Sequence, residues 1–539
     1  MFKQKFSVAS VFVLLVFGIF MGTQIRAISE DNIYEQFNKF KDVLNYTQKY
    51  YVDEVKVGDL VTHAIEGMLK SLDPHSVYIS PKQLEKVQED FKGSFEGIGI
   101  EFRIVNDTIT VANVIYGGPS EKVGVLAGDK IVAIDDETAI KLQNEDVQKK
   151  LRGEKGTKVT VSVMRSGIND PVDIVITRDK IPLYSVNSSF LLDDGVGYMS
   201  INRYAANTYD EFIEGLRQLK SEGMTKLVLD LRGNPGGYLE QSFRMANEFL
   251  KRGQKIVYTK GRRSDFDENY VATGGGEFQD LPLIILINNG SASASEIVSG
   301  AVQDHDRGLI VGETSFGKGL VQRQFELADG SAFRLTTARY YTPSGRIIQR
   351  PYDGSDEDYY REAYDREEED SENIQHTEEA DTTRPQHKTD AGRLVYGGGG
   401  ITPDYIVRYE NLKQYAARMR IHIFEFTTAY LDKEGARLRN QYDKPGVSQF
   451  VRDFQVSDAM MKDFIAFGKS RGVEFEETQY TADKDWLRAS VKAQIARTLF
   501  GNEGQFRVLL EVDPQFLKAM TLFPEAKRIA GLRCASERE

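Results

Sequence analysis

Apolar positions near the start of the chain recur about every 3.6 residues, which is the spacing of an amphipathic helix. Between residues 28 and 71, Ile33 and Phe37 begin such a stripe, and the same period continues downstream. Pro74 then breaks the pattern, because proline cannot continue a helix. Residues 28–82 are therefore predicted to form an N-terminal helical region.

Beyond residue 93 the pattern changes to short apolar runs that are rich in β-branched residues and bounded by turn residues, which is typical of strands. Glu145–Leu151 is predicted to be a short helix. The segment 83–180 is therefore predicted to form a domain of about five or six strands and about two short helices. The clearest strands are Ile100–Ile104, Thr108–Val114, Lys130–Ile134 and Lys158–Met164.

Strand and helix patterns alternate between residues 195 and 348, which predicts a sheet covered by helices. Residues 181–352 and 391–410 are assigned to this core, and the predicted fold class of the whole chain is multidomain α/β. The predicted strands are Gly195–Ile201, Lys226–Leu231, Leu283–Ile287 and Leu309–Val311, and the predicted helices are Thr208–Glu222, Tyr238–Leu250 and Ala292–His305.

Two segments lie outside these patterns. Residues 353–390 are rich in Asp, Glu, Arg and Tyr and poor in aliphatic residues, which predicts an acidic, mobile and solvated insertion. Residues 411–539 have a mainly helical pattern and are predicted to be an extension that serves in homo-oligomerisation or partner binding.

The N-terminal segment, residues 1–27, has the composition of a targeting sequence. Met1–Lys5 carries two lysines, and the uncharged run Phe6–Ile25 is about long enough to span a bilayer. A cleaved signal peptide and a retained membrane anchor both remain open, because the residues around Ala27 form a poor cleavage site. The lysines favour a cytoplasmic N-terminus, so the chain is predicted to be periplasmic or anchored in the inner membrane facing the periplasm.

Composition excludes several classes of function. The chain has 539 residues, with 69 Lys+Arg and 81 Asp+Glu, so its net charge is 69 − 81 = −12, which disfavours nucleic-acid binding. Its one cysteine, Cys534, excludes an intrachain disulfide and a multi-cysteine metal site. No two of the six histidines have the i, i+4 spacing of a helical zinc motif. No metal, nucleotide or other cofactor is expected.

A serine cluster follows the apolar strand Leu283–Ile287, within the run Asn289–Glu296. Small residues in a strand-to-helix turn allow a substrate to approach the backbone closely. Ser293 would lie at a helix N-terminus, where free N–H groups stabilise an anion. The alternative is that the cluster merely caps the helix.

A nucleophilic serine needs a base. Lys318, which lies between two glycines, is a better candidate for this base than His305. A lysine acts as a base only when it is neutral, so burial must lower its pKa. Gln322, four residues further on, is placed to orient the amine by a hydrogen bond. Two alternatives are that Lys318 is a surface turn residue and that His305, at a charged helix end, acts as the base.

Together these motifs resemble those of the carboxyl-terminal processing peptidases, also called tail-specific proteases. The resemblance rests on Ser291–Ile297, on Gly317–Gly319 with Gln322, and on Asp230–Gly237. It extends to Leu72–Tyr78, Gly97–Gly99 and Gly400–Asp404, and it covers residues 30–405.

The resemblance implies a crotonase-like peptidase core with an inserted PDZ domain, and it implies roles for individual residues. Ser293 matches the family nucleophile, Lys318 the general base and Gln322 the residue that orients the lysine. The backbone N–H of Ala294 matches one oxyanion donor. The second donor is Gly236 or Gly237, and the sequence leaves that choice open.

The resemblance also implies that residues 83–180 form the PDZ domain, with Gly97, Ile98 and Gly99 in its carboxylate-binding loop. Such a loop holds a terminal carboxylate by its N–H groups, and the following strand pairs with the peptide. The implied function is a serine endopeptidase that binds exposed C-terminal tails of unfolded proteins and cleaves them. The alternatives are a catalytically inactive PDZ scaffold or ligand-binding protein on the same fold, and a Ser–His–Asp hydrolase that uses His305.

Overall fold

A computed structural model describes residues 32–366, 369–372, 374 and 384–532, so the predicted signal peptide or membrane anchor, residues 1–27, lies outside the described residues. Contacts within the chain divide it into two units, Met1–Tyr78 and Ile79–Glu539. Within the described ranges, no helix is both long enough and apolar enough to cross a membrane.

From residue 32 onward, the first unit contains the helices α1 (Ile33–Tyr50) and α2 (Val57–Lys70). The side chain of Asn32 accepts a hydrogen bond from the backbone N–H of Tyr34 at 3.1 Å and so caps the start of α1. The predicted apolar stripe is present on α1, but none of the residues of this helix is buried. The periodicity therefore predicted the helix correctly, whereas the stripe does not form a core within this unit. A short strand, β1 (Val77–Ile79), follows α2.

The second unit begins with α3 (Pro81–Lys92) and continues into a small β domain. Its six-stranded sheet has the order β3-β4-β5-β7-β8, with β6 paired to β5, so β3 lies at an edge. Strand β9 pairs antiparallel with β2 and brings the chain back to the start of the domain. The elements are β2 (Ser94–Gly97), β3 (Ile100–Val105), β4 (Thr108–Val114), α4 (Pro119–Lys122), β5 (Lys130–Ile134), β6 (Glu137–Thr138), α5 (Asn144–Leu151), β7 (Lys158–Met164), β8 (Val172–Thr177) and β9 (Asp179–Pro182).

A seven-stranded sheet forms the α/β core, in the order β10-β11-β12-β15-β16-β22-β19. Strands β11, β12, β15, β16 and β22 run parallel. Every residue of β11, β15 and β16 is buried, as expected for parallel strands covered on both faces. These strands are β10 (Val186–Leu191), β11 (Val196–Ile201), β12 (Lys226–Asp230), β15 (Leu283–Ile287), β16 (Leu309–Gly312), β19 (Ser371–Glu372) and β22 (Tyr405–Ile406), and the helices between them are α6 (Thr208–Ser221), α7 (Leu239–Asn247) and α8 (Ala294–Asp304).

An antiparallel sheet lies next to this core in the chain. It includes β13 (Lys255–Gly261), β14 (Asn269–Val271), β17 (Leu320–Glu326) and β18 (Ala332–Tyr341), and β18 pairs with both β13 and β17. Because β17 begins directly after Gly319, this hairpin fixes the position of the predicted lysine loop. The predicted multidomain α/β class is confirmed.

The acidic insertion includes a helix that packs against the lysine loop. Helix α9 (Asp356–Tyr364) buries Tyr359 and Ala363 against Phe316, in the lysine loop. The composition of residues 353–390 predicts a solvated loop, but these two residues lie four apart and share one face of the helix. Two short strands, β20 (Gln386–Lys388) and β21 (Leu394–Tyr396), pair with each other downstream.

The C-terminal extension is mainly helical, as predicted. Its ion pairs connect it to the β domain, where Arg497 lies 2.7 Å from Glu101, and to the core, where Asp513 lies 2.7 Å from Arg232. Its role in oligomerisation stays a prediction. The helices are α10 (Gln414–Arg420), α11 (Ile423–Tyr442), α12 (Val447–Asp453), α13 (Asp458–Ser470), α14 (Glu477–Leu510), α15 (Pro514–Thr521) and α16 (Phe523–Ile529).

Candidate active site

Ser293 lies at the carboxyl end of the parallel sheet, directly before α8. Its backbone has φ 54° and ψ −109°, a conformation that a residue with a Cβ rarely adopts. The residues on either side of Ser293 hold the serine turn in place. The N–H of Ala292 donates to the carbonyl oxygen of Asn234 at 3.0 Å, and Ser295 Oγ donates to the same oxygen at 3.0 Å. The loop that follows β12 thus holds the serine turn that follows β15.

Glu296, one turn into α8, connects the serine to the lysine loop. Its Oε2 accepts the backbone N–H of Ser293 at 2.7 Å and that of Lys318 at 2.9 Å. Its Oε1 accepts Ser315 Oγ at 2.5 Å and the N–H of Gly317 at 2.7 Å. Burial raises the pKa of this carboxyl group, and these hydrogen bonds act against that shift. One carboxylate therefore positions both segments.

Lys318 and Ser293 line one cavity of about 710 Å³, together with Gln322 and Tyr340. Lys318 Nζ donates to Gln322 Oε1 at 2.9 Å, the contact that the sequence predicts for an orienting glutamine. The hydroxyl of Tyr340 lies 2.6 Å from the carbonyl oxygen of Lys318 and 3.2 Å from that of Ser293. The predicted nucleophile, base and orienting residue therefore meet in one cleft, and both candidate reactive residues are partly buried.

The glycine loop after β12 approaches the serine turn closely. A Cβ on Gly236 would lie 2.9 Å from the backbone nitrogen of Ala294, so only glycine fits there. The N–H of Gly236 donates to Asn234 Oδ1 at 2.9 Å. The N–H groups of Gly237 and Ala294 have no acceptor among the residues that the structure describes. This difference favours Gly237 as the second oxyanion donor.

His305 is at the other end of α8, a helix of 11 residues that is about 16 Å long. Its Nδ1 lies 2.7 Å from Asp390 Oδ2 and its Nε2 lies 2.6 Å from the carbonyl oxygen of Lys255. The sequence predicts an exposed helix end here, but only 7% of the histidine side chain is exposed. His305 thus links the core to the segment around Asp390 and is not positioned as a base for Ser293.

The predicted carboxylate loop is next to a groove of about 120 Å³ between β3 and α5. Ile98, Gly99, Ile100 and Phe102 line one side, and Gln148, Leu151 and Arg152 line the other. Gly97 ends β2 and does not line the groove. Among the strands that the structure describes, β3 pairs only with β4, so its outer edge can receive an extended peptide.

Sequence reasoning missed Glu296 and Tyr340. It also missed the aromatic wall of the cleft, which Phe91 and Tyr238 form. A glutamate three residues after a serine is the capping-box spacing, and this signal pointed to Glu296. Tyr340 has no local signal, because it reaches the site across the hairpin of β17 and β18. In the aromatic wall, Phe91 of α3 packs edge-on against Tyr238 with ring centroids 4.9 Å apart. No group of three or more potential metal ligands occurs in the described part of the chain.

Four family profiles match the chain. Residues 195–360 match Peptidase family S41, and residues 97–176 match the PDZ domain. Residues 21–83 match the activating protease CtpB N-terminal domain, and residues 415–501 match a family of unknown function.

Several named proteins are similar to this chain. The carboxy-terminal-processing protease of Bartonella bacilliformis is 40% identical over 351 residues, which cover 64% of this chain and 80% of the relative. The carboxyl-terminal-processing protease of a Picosynechococcus species is 36% identical over 331 residues, which cover 60% of this chain and 79% of the relative. Among solved structures, the photosystem II D1 C-terminal processing protease is 30% identical with a TM-score of 0.33, and the match covers 57% of this chain and 89% of that one.

Proposed function

Because this chain belongs to the carboxyl-terminal processing proteases, which are serine-type peptidases, we propose that it is an endopeptidase that uses Ser293 and Lys318 as a catalytic dyad. The observation that carries this proposal is the single cavity lined by Ser293, Lys318 and Gln322. The carboxylate of Glu296 supports it further, since one of its oxygens accepts the backbone N–H of both dyad residues.

In this mechanism the neutral amine of Lys318 removes the proton of the Ser293 hydroxyl, and Ser293 Oγ attacks the scissile carbonyl carbon. The N–H groups of Ala294 and Gly237 stabilise the negative oxygen of the tetrahedral intermediate. Lys318 then gives its proton to the leaving amine, and an acyl-enzyme remains. Water hydrolyses this ester with Lys318 again as the base, and Gln322 Oε1 holds the amine in place.

We propose that the PDZ domain binds the C-terminal carboxylate of the protein substrate. The loop around Ile98 and Gly99, the adjoining groove and the open edge of β3 provide the N–H groups and the strand edge that such binding requires. We also propose that the chain works in the periplasm or at the periplasmic face of the inner membrane, which the charge pattern of residues 1–27 favours.

The dyad is tested with Ser293→Ala and Lys318→Ala, measured against a disordered protein substrate by the appearance of new termini. Both variants should lose cleavage, because one removes the nucleophile and the other removes the base. The matched controls are Ser221→Ala and Lys251→Ala, which change exposed residues outside the cavity. Full turnover by Ser293→Ala would refute the proposal.

Tail binding is tested separately with the Ser293→Ala protein, which is expected to bind without cleaving. A peptide with a free C-terminus should bind more tightly than the same peptide with a C-terminal amide. Equal affinity for both peptides would contradict carboxylate capture by the PDZ domain. Cleavage by the unsubstituted protein distinguishes the proposal from an inactive scaffold on the same fold.

A further inference from the structure

Arg334 lies in the cleft that contains Ser293, on the strand that pairs with β17. It stands directly opposite Gln324, and Gln322 stands opposite Thr336. Gln322, Gln324 and Arg334 all line the cavity, as expected for residues on one face of a sheet. Two residues along a strand correspond to about 7 Å, so Arg334 lies about that far along the sheet from Gln322, the residue that accepts the hydrogen bond of Lys318 Nζ.

The guanidinium of Arg334 has no carboxylate partner among the residues that the structure describes. It lies over the ring of Phe91, with its central carbon 5.3 Å from the ring centroid, and it is partly buried. Its neighbour Arg323, on the other face of the hairpin, pairs with Glu268 at 3.4 Å. A guanidinium that is shielded by an aromatic wall and not neutralised is suited to bind a planar anion from the substrate.

The other charged residues around the cavity add to this preference. Lys92 lines it together with Arg334, whereas Glu240 is the one acidic residue among the described lining residues, and the neutral Lys318 of the proposed mechanism adds no charge. A cleft with an excess of basic side chains attracts anionic groups and raises their local concentration. The substrate group that fits Arg334 is therefore a carboxylate.

We propose that Arg334 forms a specificity subsite for a substrate carboxylate. This inference rests on the proposed function, since it assigns a preference to the same cleft. The carboxylate has two sources: the side chain of an Asp or Glu in the substrate, or the free C-terminus of a short substrate. Both would bind the guanidinium through paired N–H···O hydrogen bonds.

The test compares kcat/KM for matched peptides that carry Asp or Asn, scanned over the positions on both sides of the cleaved bond. At one position the unsubstituted enzyme should prefer Asp by about tenfold or more, because hydrogen bonds to charged groups are strong. Arg334→Gln should abolish that preference, so that the ratio of kcat/KM for the Asp peptide to kcat/KM for the Asn peptide falls to about one. Arg334→Glu should reverse the preference toward a Lys-bearing peptide.

A second arm uses short peptides with free or amidated C-termini to separate the two sources. A loss of cleavage on amidation that disappears in Arg334→Gln identifies the terminal carboxylate as the ligand, whereas a loss that persists belongs to the PDZ domain. Arg323→Gln is the matched control, since it removes the same charge from the opposite face. If Arg334→Gln leaves every Asp-to-Asn and free-to-amidated ratio unchanged, the subsite is refuted. Activity of Ser293→Ala would instead refute the dyad.

Discussion

Replacing Ser293 with glycine should stabilise the protein while it abolishes catalysis. The φ of 54° and ψ of −109° at this residue lie outside the left-handed well that residues with a Cβ sometimes occupy. Strain of this kind costs about 1–3 kcal/mol. Glycine removes the strain but loses about 0.5–1 kcal/mol more chain entropy on folding, so the central values give an expected net gain of about 1 kcal/mol.

The reference is Ser293→Ala, which also lacks the hydroxyl but keeps the Cβ and therefore the strain. Both variants are expected to be inactive, so self-cleavage and the lost hydroxyl contacts cancel in the comparison. Thermal unfolding at one scan rate should place the melting temperature of the glycine variant above that of the alanine variant by about one degree, because an unfolding entropy of about 2.1 cal/mol/K per residue gives roughly 1 °C per kcal/mol in a unit of this size. Equal melting temperatures, or a lower one for glycine, would refute the assignment of strain to this backbone.

The other predictions concern residues that support the site. Glu296→Ala leaves four buried donors without their acceptor, so it should destabilise the fold by more than about 4 kcal/mol, and an unchanged thermal unfolding curve would contradict this. Because burial raises the pKa of Glu296, the native state holds this proton more tightly than the unfolded chain does; stability should therefore fall as the pH rises through the native pKa, and this slope should be absent in Glu296→Gln. Tyr340→Phe should lower kcat about three- to tenfold with little change in KM, since it removes a contact worth about 1 kcal/mol; a changed KM with an unchanged kcat would disagree. Asp513→Asn keeps the helix cap but weakens the ion pair with Arg232, so kcat should fall while tail binding by the PDZ domain, measured with labelled peptide, stays the same.

The strands and helices were predictable because their burial follows their period. Strand β7 alternates between exposed or partly buried and fully buried residues, and its observed bounds, Lys158–Met164, are those that the pattern predicts. The meeting of Ser293 and Lys318 was also predictable, because both loops follow parallel strands of one sheet and therefore lie at one edge. The hydrophobic pattern of a helix does not show which surface its apolar face packs against. Helix α1 has such an apolar face, yet none of its residues is buried.

The contacts that hold the site were harder to predict, since they join loops that are distant in sequence. Glu296 carries a capping signal, but its hydrogen bonds to Gly317 and Lys318 depend on how the lysine loop returns to the helix. The composition of the acidic insertion is an average over all its residues, and charged residues dominate that average. Composition therefore could not predict that Tyr359 and Ala363 pack against Phe316.

The contacts of Arg232 with the C-terminal extension bear on the order in which parts of the protein form during synthesis. Arg232 begins the loop that leads to Gly236 and Gly237, and it donates to Gln515, 283 residues further along the chain. During synthesis the strands of the peptidase sheet leave the ribosome long before Gln515 is available for this contact. A nascent chain that has released Ser293 and Lys318 but not yet Gln515 therefore lacks this contact, and the loop that carries Gly236 and Gly237 receives it only after the final helices have docked.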